Sequence, residues 1–212
     1  MNIWAIVPVK PLNRSKSRLA PVLSGKQREA LSRQMLEQTL KTLNQVVGIG
    51  GILVISRDHA ALSIAHQFDV QTVQESGAPE LNDALGRATQ LVTTWGAQGV
   101  LIVASDIPLM SAKDIEGMLA LADQPRIVVI ASDRHGEGTN ALLIQPPGLI
   151  TYSYGPNSFR RHVAQTKEAG IAVRVFGSPT VALDVDVPED LTMYHDMVTH
   201  HEVKEPVWLT SL

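Results

Sequence analysis

Apolar residues along this chain recur with two periods. Short unbroken runs of Val, Ile and Leu suit strands covered on both faces. Longer stretches with apolar positions three or four apart suit helices lying against them. The run Ile3–Val9 reads as a first buried strand. Residues 10–23 are polar and basic and are expected to be irregular. Ser24 with Gln27 makes a capping-box start for a long helix. In it Leu36, Leu40, Leu43 and Val47 recur at helical spacing and should face the sheet. Gly48, Gly50 and Gly51 end it; 51–56 is the second strand, 58–68 a helix and 70–73 a short third strand. After a loop with Gly77 and Pro79 comes a helix over 80–95, its inner face formed by Leu81, Leu85, Ala88, Leu91, Val92 and Trp95.

The run V-L-I-V-A-S-D-I-P-L-M over 100–110 is the centre of the pattern. Strand residues lead into Ser105 and Asp106. Pro108, which has no N–H to give a ladder, is expected to stop the strand. Ser111 with Asp114 opens a helix over 111–122. Residues 126–131 are β-rich and 133–138 form a tight loop. The strand over 139–144 follows too closely for a crossover helix, so it pairs antiparallel or lies out of sequence order. A helix over 157–169 and short strands over 171–176 and 181–184 come next. Pro188 begins a last helix, with Glu189 and Asp190 in its first turn. A tail over 202–212 carries Pro206 and Trp208. This alternation, with one irregular pair late in the chain, implies an α/β fold: a three-layer sandwich around a mixed, mostly parallel sheet, in one domain spanning 1–212.

Composition narrows the function classes. The chain has 212 residues, 44% hydrophobic and 18% charged, which suits an ordinary water-soluble domain with an ample core. A net charge of −3 gives no bulk attraction to nucleic acid. Cysteine is absent, which removes disulfides, thiolate metal sites and cysteine nucleophiles. That fits a reducing compartment. The N-terminus lacks the basic start of a signal peptide, and no apolar run approaches the ~20 residues that span a bilayer. A cytoplasmic protein without membrane or nucleic-acid partners is expected, and a homodimer is compatible with the sequence. His59, His66, His195 and the pair at 200–201 show no zinc-like spacing.

Candidate chemistry collects where strands end. Parallel sheets bind ligands outside the carboxyl ends of their strands, and Asp106 belongs at such an end, placed to hold a divalent metal against a phosphate. The loop after the first strand carries Lys10, Arg14, Lys16 and Arg18, with Ser15 and Ser17 as hydroxyl donors. Such a set suits a polyphosphate. It lacks glycine, so side chains must do what backbone amides do in Walker loops. Asn82, in E-L-N-D-A-L, or the backbone near it is a candidate for reading a base edge. Gly136 and Gly138 allow close approach to a ligand, and Thr139 and Asn140 then offer a hydroxyl and an amide. Gly155 and Pro156 make a turn that leads to Ser158 at a helix N-terminus, a natural anion site. Asp184 and Asp186 share a side in extended chain. Crowded carboxylates repel, and a metal relieves that, so one of the two is the second metal ligand beside Asp106. Lys16 and Asp106 are the residues expected to carry catalysis.

Five stretches, K-S-R-L-A-P-V-L-S, E-L-N-D-A-L, S-D-I-P-L, G-T-N-A-L and G-P-N-S-F, taken in order resemble the guanylyltransferases of coenzyme F420 biosynthesis. The resemblance runs from Ile6 to Leu191. It implies a nucleotide-diphospho-sugar-transferase-like fold, GTP as donor, magnesium as cofactor, and 2-phospholactate, phosphoenolpyruvate or 3-phosphoglycerate as acceptor. It further implies that Thr139, Gly155 and Ser158 touch the phosphorylated acid and that Asp106 and Asp184 hold the metal. Residues 1–110 would then form a nucleotide half and 111–200 an acceptor half. Two rivals remain at this level: another nucleotidyltransferase of the same fold, with a molybdopterin or sugar-phosphate acceptor, and a non-catalytic nucleotide-binding module.

Overall fold

The computed structural model describes residues 2–76 and 80–199. The loop with Gly77 and Pro79, the histidines at 200–201 and the tail with Pro206 and Trp208 lie outside the described residues. Among the described residues seven strands form one sheet: β1 Ile3–Val9, β2 Ile49–Ser56, β3 Gln71–Gln74, β4 Gly99–Val103, β5 Ile127–Ser132, β6 Thr139–Gln145 and β7 Ala172–Val175. Their spatial order is β3-β2-β1-β4-β6-β5-β7. Only β6 is reversed, antiparallel to both β4 and β5; the other pairings are parallel. The sheet is therefore mixed and mostly parallel. Because Val103 pairs with Ala141, the start of β6 lies at the edge where β1 and β4 end.

Among the described residues seven α-helices flank it: α1 Gly25–Leu43, α2 His59–Gln67, α3 Leu81–Thr94, α4 Ala112–Ala120, α5 Ser158–Glu168, α6 Pro179–Ala182 and α7 Pro188–Thr199. Alternation along the strands feeds two core layers. Ile3, Ala5, Val7 and Val9 of β1 join Leu36, Leu40 and Leu43 of α1, with α2 and α4, on one face. Ile6 joins Leu85, Ala88 and Val92 of α3 on the other, with Phe159 and Val163 of α5 packed against it. A third cluster matters more for function. Leu19 from the basic loop, Leu109, Leu183 and Val185 from the acidic segments, and Tyr194 and Val198 of α7 are buried together with Leu31 and Met35. Burying each such side chain contributes roughly 2 kcal/mol, so the charged loops rest on an apolar base. Among the described residues no helix is long and apolar enough to cross a membrane.

Both expected capping boxes are present, Ser24 with Gln27 and Ser111 with Asp114. Several expectations need correction. Val47 does not face the sheet; α1 ends at Leu43, and Val47 lies beyond it with 81% of its surface exposed. Leu81 and Trp95, at the two ends of α3, are likewise exposed. The second strand begins at Ile49, before the glycines at 50 and 51. Residues 10–23 contain two 3-10 turns, Leu12–Arg14 and Ser17–Leu19. Pro108 does not stop β4, which ends at Val103; the chain has already turned at Ser105 and Asp106. Residues 181–184 are not a strand. Ser178 caps a short helical turn over Pro179–Ala182, its side chain accepting the Val181 N–H, and proline at a first helical position favours that turn.

Candidate active site

The carboxyl edge of β1 and β4 opens into a cavity of about 560 Å³, a size typical of small-molecule sites. Lys10, Lys16, Asp106, Thr139, Asn140, Gly155, Ser158, Asp184 and Asp186 all line it. Ser17 and Arg18, expected with the nucleotide, are exposed on the outer side of their turn and do not line it.

One wall is charged. Lys16 adopts the left-handed backbone region, φ 55°, at the entry to the Ser17–Leu19 turn, a conformation that costs a non-glycine residue about 1 kcal/mol. Its ammonium is held inward, 2.6 Å from Asp106 Oδ2 and 2.7 Å from Asp186 Oδ1, with 6% of the side chain exposed. Burial works against that charge, yet the two carboxylates outweigh it and raise the lysine above its ordinary pKa. Burial also pushes the Asp186 carboxyl up, but Lys16, with Lys10 and Arg18 farther out, holds it below the usual carboxylate range. Asp184 has no such cation. Burial, then the charge of Asp106, push it up to about 6, against a hydrogen bond from Asn140 Nδ2 at 3.3 Å. The Val185 N–H donates to the Asp106 carbonyl at 3.0 Å, which ties the two acidic segments together.

The donor set fits a hard divalent cation. Asp106 and Asp184 are crowded oxygen donors whose repulsion such an ion relieves. Among the described residues no three acidic or histidine side chains form a ready cage. Magnesium commonly binds through one or two carboxylates and completes its shell with water and phosphate oxygens. Asp106 and Asp186 are both bonded to Lys16, which leaves Asp184 as the carboxylate of the three that Lys16 does not pair.

A second stretch of the lining, the neutral wall, is formed by the uncharged Thr139, Gly155 and Ser158. Asp133 closes the tight loop before β6, accepting N–H bonds from His135, Glu137 and Gly138. A Cβ at Gly138 would stand 2.9 Å from Asp133 Oδ2, so the loop needs glycine there. It delivers Thr139 to the cavity. Gly155, at φ 121°, turns the chain toward α5. The first N–H groups of α5 are not free for an anion, contrary to expectation: Ser158 donates to the Gly155 carbonyl and Phe159 to the Glu137 carbonyl. The Ser158 hydroxyl donates to Thr139 Oγ1 at 3.1 Å. Asn140 Nδ2 is likewise engaged, with the Val181 carbonyl at 2.9 Å and with Asp184. Asn82 gives both ends of its amide to the Tyr154 backbone and fastens that loop across the cavity. It does not line the cavity, and this geometry holds the loop rather than a base.

Three residues were missed by spacing. Asp190 does more than place a charge at a helix start. It is 4% exposed, accepts the Asp186 and Val187 N–H groups at 2.8 Å, and binds Arg134 at 2.8 Å. It and Arg134 shape the acidic segment. His162, fully buried, drew no attention. Its partners Thr139 and Ser153 are on other elements, so no local pattern marks it.

The mixed seven-stranded sheet with its cavity at the carboxyl edge of β1 and β4 is a fold shared with nucleotide-diphospho-sugar transferases. A structure from Desulfovibrio desulfuricans, provisionally described as a nucleotide-diphospho-sugar transferase, superposes with a TM-score of 0.75 at 17% identity. The match covers 98% of this chain and 90% of that one. The family described as "Guanylyl transferase CofC like" matches residues 3–206, and the chain belongs to that family. A phosphoenolpyruvate guanylyltransferase from Conexibacter woesei is 37% identical, covering 93% of this chain and 89% of its own. A 2-phospho-L-lactate guanylyltransferase from Methanothermobacter thermautotrophicus is 33% identical, covering 94% of this chain and 88% of its own.

Proposed function

We propose that the protein transfers GMP from GTP to a phosphorylated three-carbon carboxylic acid and releases diphosphate, a step of coenzyme F420 biosynthesis. Phosphoenolpyruvate is the first acceptor to test, with 2-phospholactate and 3-phosphoglycerate beside it. The observation that carries this reading is one cavity with two unlike walls. Its lining brings Lys10, Lys16 and the aspartates together with the uncharged Thr139, Gly155 and Ser158.

A phosphate oxygen of the acceptor attacks the α-phosphorus of GTP. A P–O bond forms there, the bond to the β-phosphate oxygen breaks, and diphosphate leaves with the electron pair. The phosphomonoester is already mostly ionised at neutral pH, so no side chain has to remove a proton. The protein's task is to bring two polyanions together in line. Lys10 and Lys16 neutralise triphosphate charge from the nucleotide half, residues 1–110. Residues 111–200 hold the acid. Asp106 and Asp184 would hold magnesium, which supplies Lewis-acid neutralisation of the phosphoryl oxygens when bound.

The test is diphosphate release with GTP and each acid, with and without chelator, and with CTP, UTP and ATP in place of GTP. GTP together with one of the three acids should give turnover that the chelator abolishes. Preference for another nucleotide with a sugar phosphate would overturn the reading in favour of a different transferase.

A further inference from the structure

His162 lies behind the neutral wall, fully buried and outside the cavity lining. Its Nε2 accepts the Ser153 backbone N–H at 2.9 Å. A backbone amide can only donate, so Nε2 carries no proton. Burial, then the charge of Arg161, lower its pKa to about 4, so the ring is neutral at pH 7. A neutral ring has one N–H, and here it must be on Nδ1. Nδ1 lies 3.1 Å from Thr139 Oγ1 and therefore donates to it. Ser158 Oγ donates to the same oxygen, also at 3.1 Å. Both lone pairs of the Thr139 hydroxyl are then occupied, and what remains is its hydrogen. Among the described residues no protein acceptor takes that hydrogen, and Thr139 lines the cavity.

We propose that His162 is a positioning residue that fixes the Thr139 hydroxyl as a hydrogen-bond donor into the cavity, so that this wall selects an unprotonated oxygen such as the acceptor's carboxylate. The polarity of the wall is set one step behind the residue that touches substrate. The inference rests on the phosphoacid reading of the cavity only for the identity of the oxygen; the chain Ser153 to His162 to Thr139 is a property of the protein. Removing the Nδ1–H lets the Thr139 hydroxyl turn inward toward the freed space, and the substrate oxygen loses its donor.

Two measurements test this. Nitrogen-15 shifts of the histidine-labelled protein at pH 7, with the His162 signal assigned by its loss in His162→Asn, should show pyrrole-type Nδ1 and pyridine-type Nε2. That is the reverse of the tautomer a free imidazole prefers. An Nε2–H or a charged ring overturns the proposal. This readout needs no substrate, so an enzyme inactive with all three acids would sink the functional reading and not this result. In kinetics, His162→Leu should raise the KM for the phosphoacid about tenfold, the loss of one hydrogen bond to a charged group, and leave the KM for GTP within about twofold. His162→Asn, whose Nδ2 can replace the Nδ1 donor, should recover most of the loss. In a Thr139→Val background, His162→Leu should add nothing. A full further rise there, an equal rise for GTP, or no rescue by asparagine means that His162 only supports the fold.

Discussion

The two walls of the cavity solve opposite problems. On the charged wall, Lys16 is already paired with two aspartates before any ligand arrives, and the arrangement is anchored from below by Leu19, Leu109, Leu183 and Val185. On the neutral wall, Thr139, Gly155 and Ser158 are themselves uncharged, and orientation is set by hydrogen bonds to the Thr139 hydroxyl from Ser158 and the His162 ring. Charge gives strength without direction, because an ammonium is a point donor with three rotatable protons. A hydroxyl whose lone pairs are both occupied gives direction with little strength. Polyphosphate needs the first and a small acid the second, and the chain places each where its backbone can supply it. Changes to the charged wall should therefore cost orders of magnitude, and changes to the neutral wall should cost selectivity.

The largest effect is expected at Asp106. Asp106→Asn is nearly isosteric and leaves Lys16 its second partner, Asp186, so the melting temperature should change little. Turnover should fall by about 10³-fold, the scale of losing preorganised charge at a transferring phosphoryl group. Diphosphate release at saturating GTP and magnesium measures it. Near-normal turnover would mean that the charged wall binds without taking part in the chemistry.

Lys16→Met comes next. It removes the cation from between Asp106 and Asp186 and leaves two carboxylates facing an incoming triphosphate. GTP should bind about 100-fold more weakly by calorimetry, with phosphoacid KM affected far less, as expected for losing one close charge pair in a partly dry site. Equal losses for both substrates would erase the division between the walls.

The neutral wall shows itself in the pH dependence of stability. His162 has a folded pKa of about 4 and an unfolded value near 6.5. Between these pH values the unfolded chain binds more protons, so His162 favours the fold fully above pH 6.5 and progressively less as pH falls toward 4. The arithmetic gives about 2 kcal/mol lost between pH 7 and pH 5. Asp184, raised in the fold, works in the opposite direction over the same range. The informative quantity is therefore the difference between wild type and His162→Asn in urea melts with chelator. Wild type should lead at pH 7, and its lead should shrink by pH 5. A constant lead would mean that the ring is solvated.

Much of this architecture was legible because it is local. Periods of 2 and 3.6 marked the strands and helices. Ser24 with Gln27 and Ser111 with Asp114 are three residues apart and cap as their spacing implies. The reversed strand followed from a connection too short for a helix. Asp106 stood out because it follows a buried strand, Lys16 because four cations crowd one loop, and Asp184 because it lies two residues from Asp186. What stayed hidden depends on partners distant in sequence. Asn82 binds Tyr154, 72 positions away, and Asp190 binds Arg134, 56 positions away. No single-sequence pattern distinguishes a helix-start aspartate from one that shapes an acidic loop. Residues 181–184 misled for the opposite reason. Their short apolar run, Val181–Leu183, favours a strand, but Ser178 and Pro179 just before them favour a helical turn, and the cap prevailed.

The smallest expected effect is at Ser158, and it separates the two ways of reading the neutral wall. The Ser158 hydroxyl hydrogen goes to Thr139 and its N–H to the Gly155 carbonyl, so neither is directed at the acid. The Phe159 N–H, next in the helix, is also taken. Ser158→Ala removes one bond to the Thr139 oxygen and leaves the other, from His162, in place. Thr139 keeps a donor in its ring-side lone pair and can still offer its hydrogen outward, only less firmly held. The KM for the phosphoacid should rise about threefold, a fraction of one neutral hydrogen bond, with kcat and the KM for GTP unchanged. Thr139→Val removes the donor itself and should cost more, about tenfold in the same constant. If the order is reversed and Ser158→Ala is the costlier change, Ser158 meets the acid directly, the start of α5 opens toward the ligand on binding, and the wall is an anion site of the ordinary helix-terminus kind.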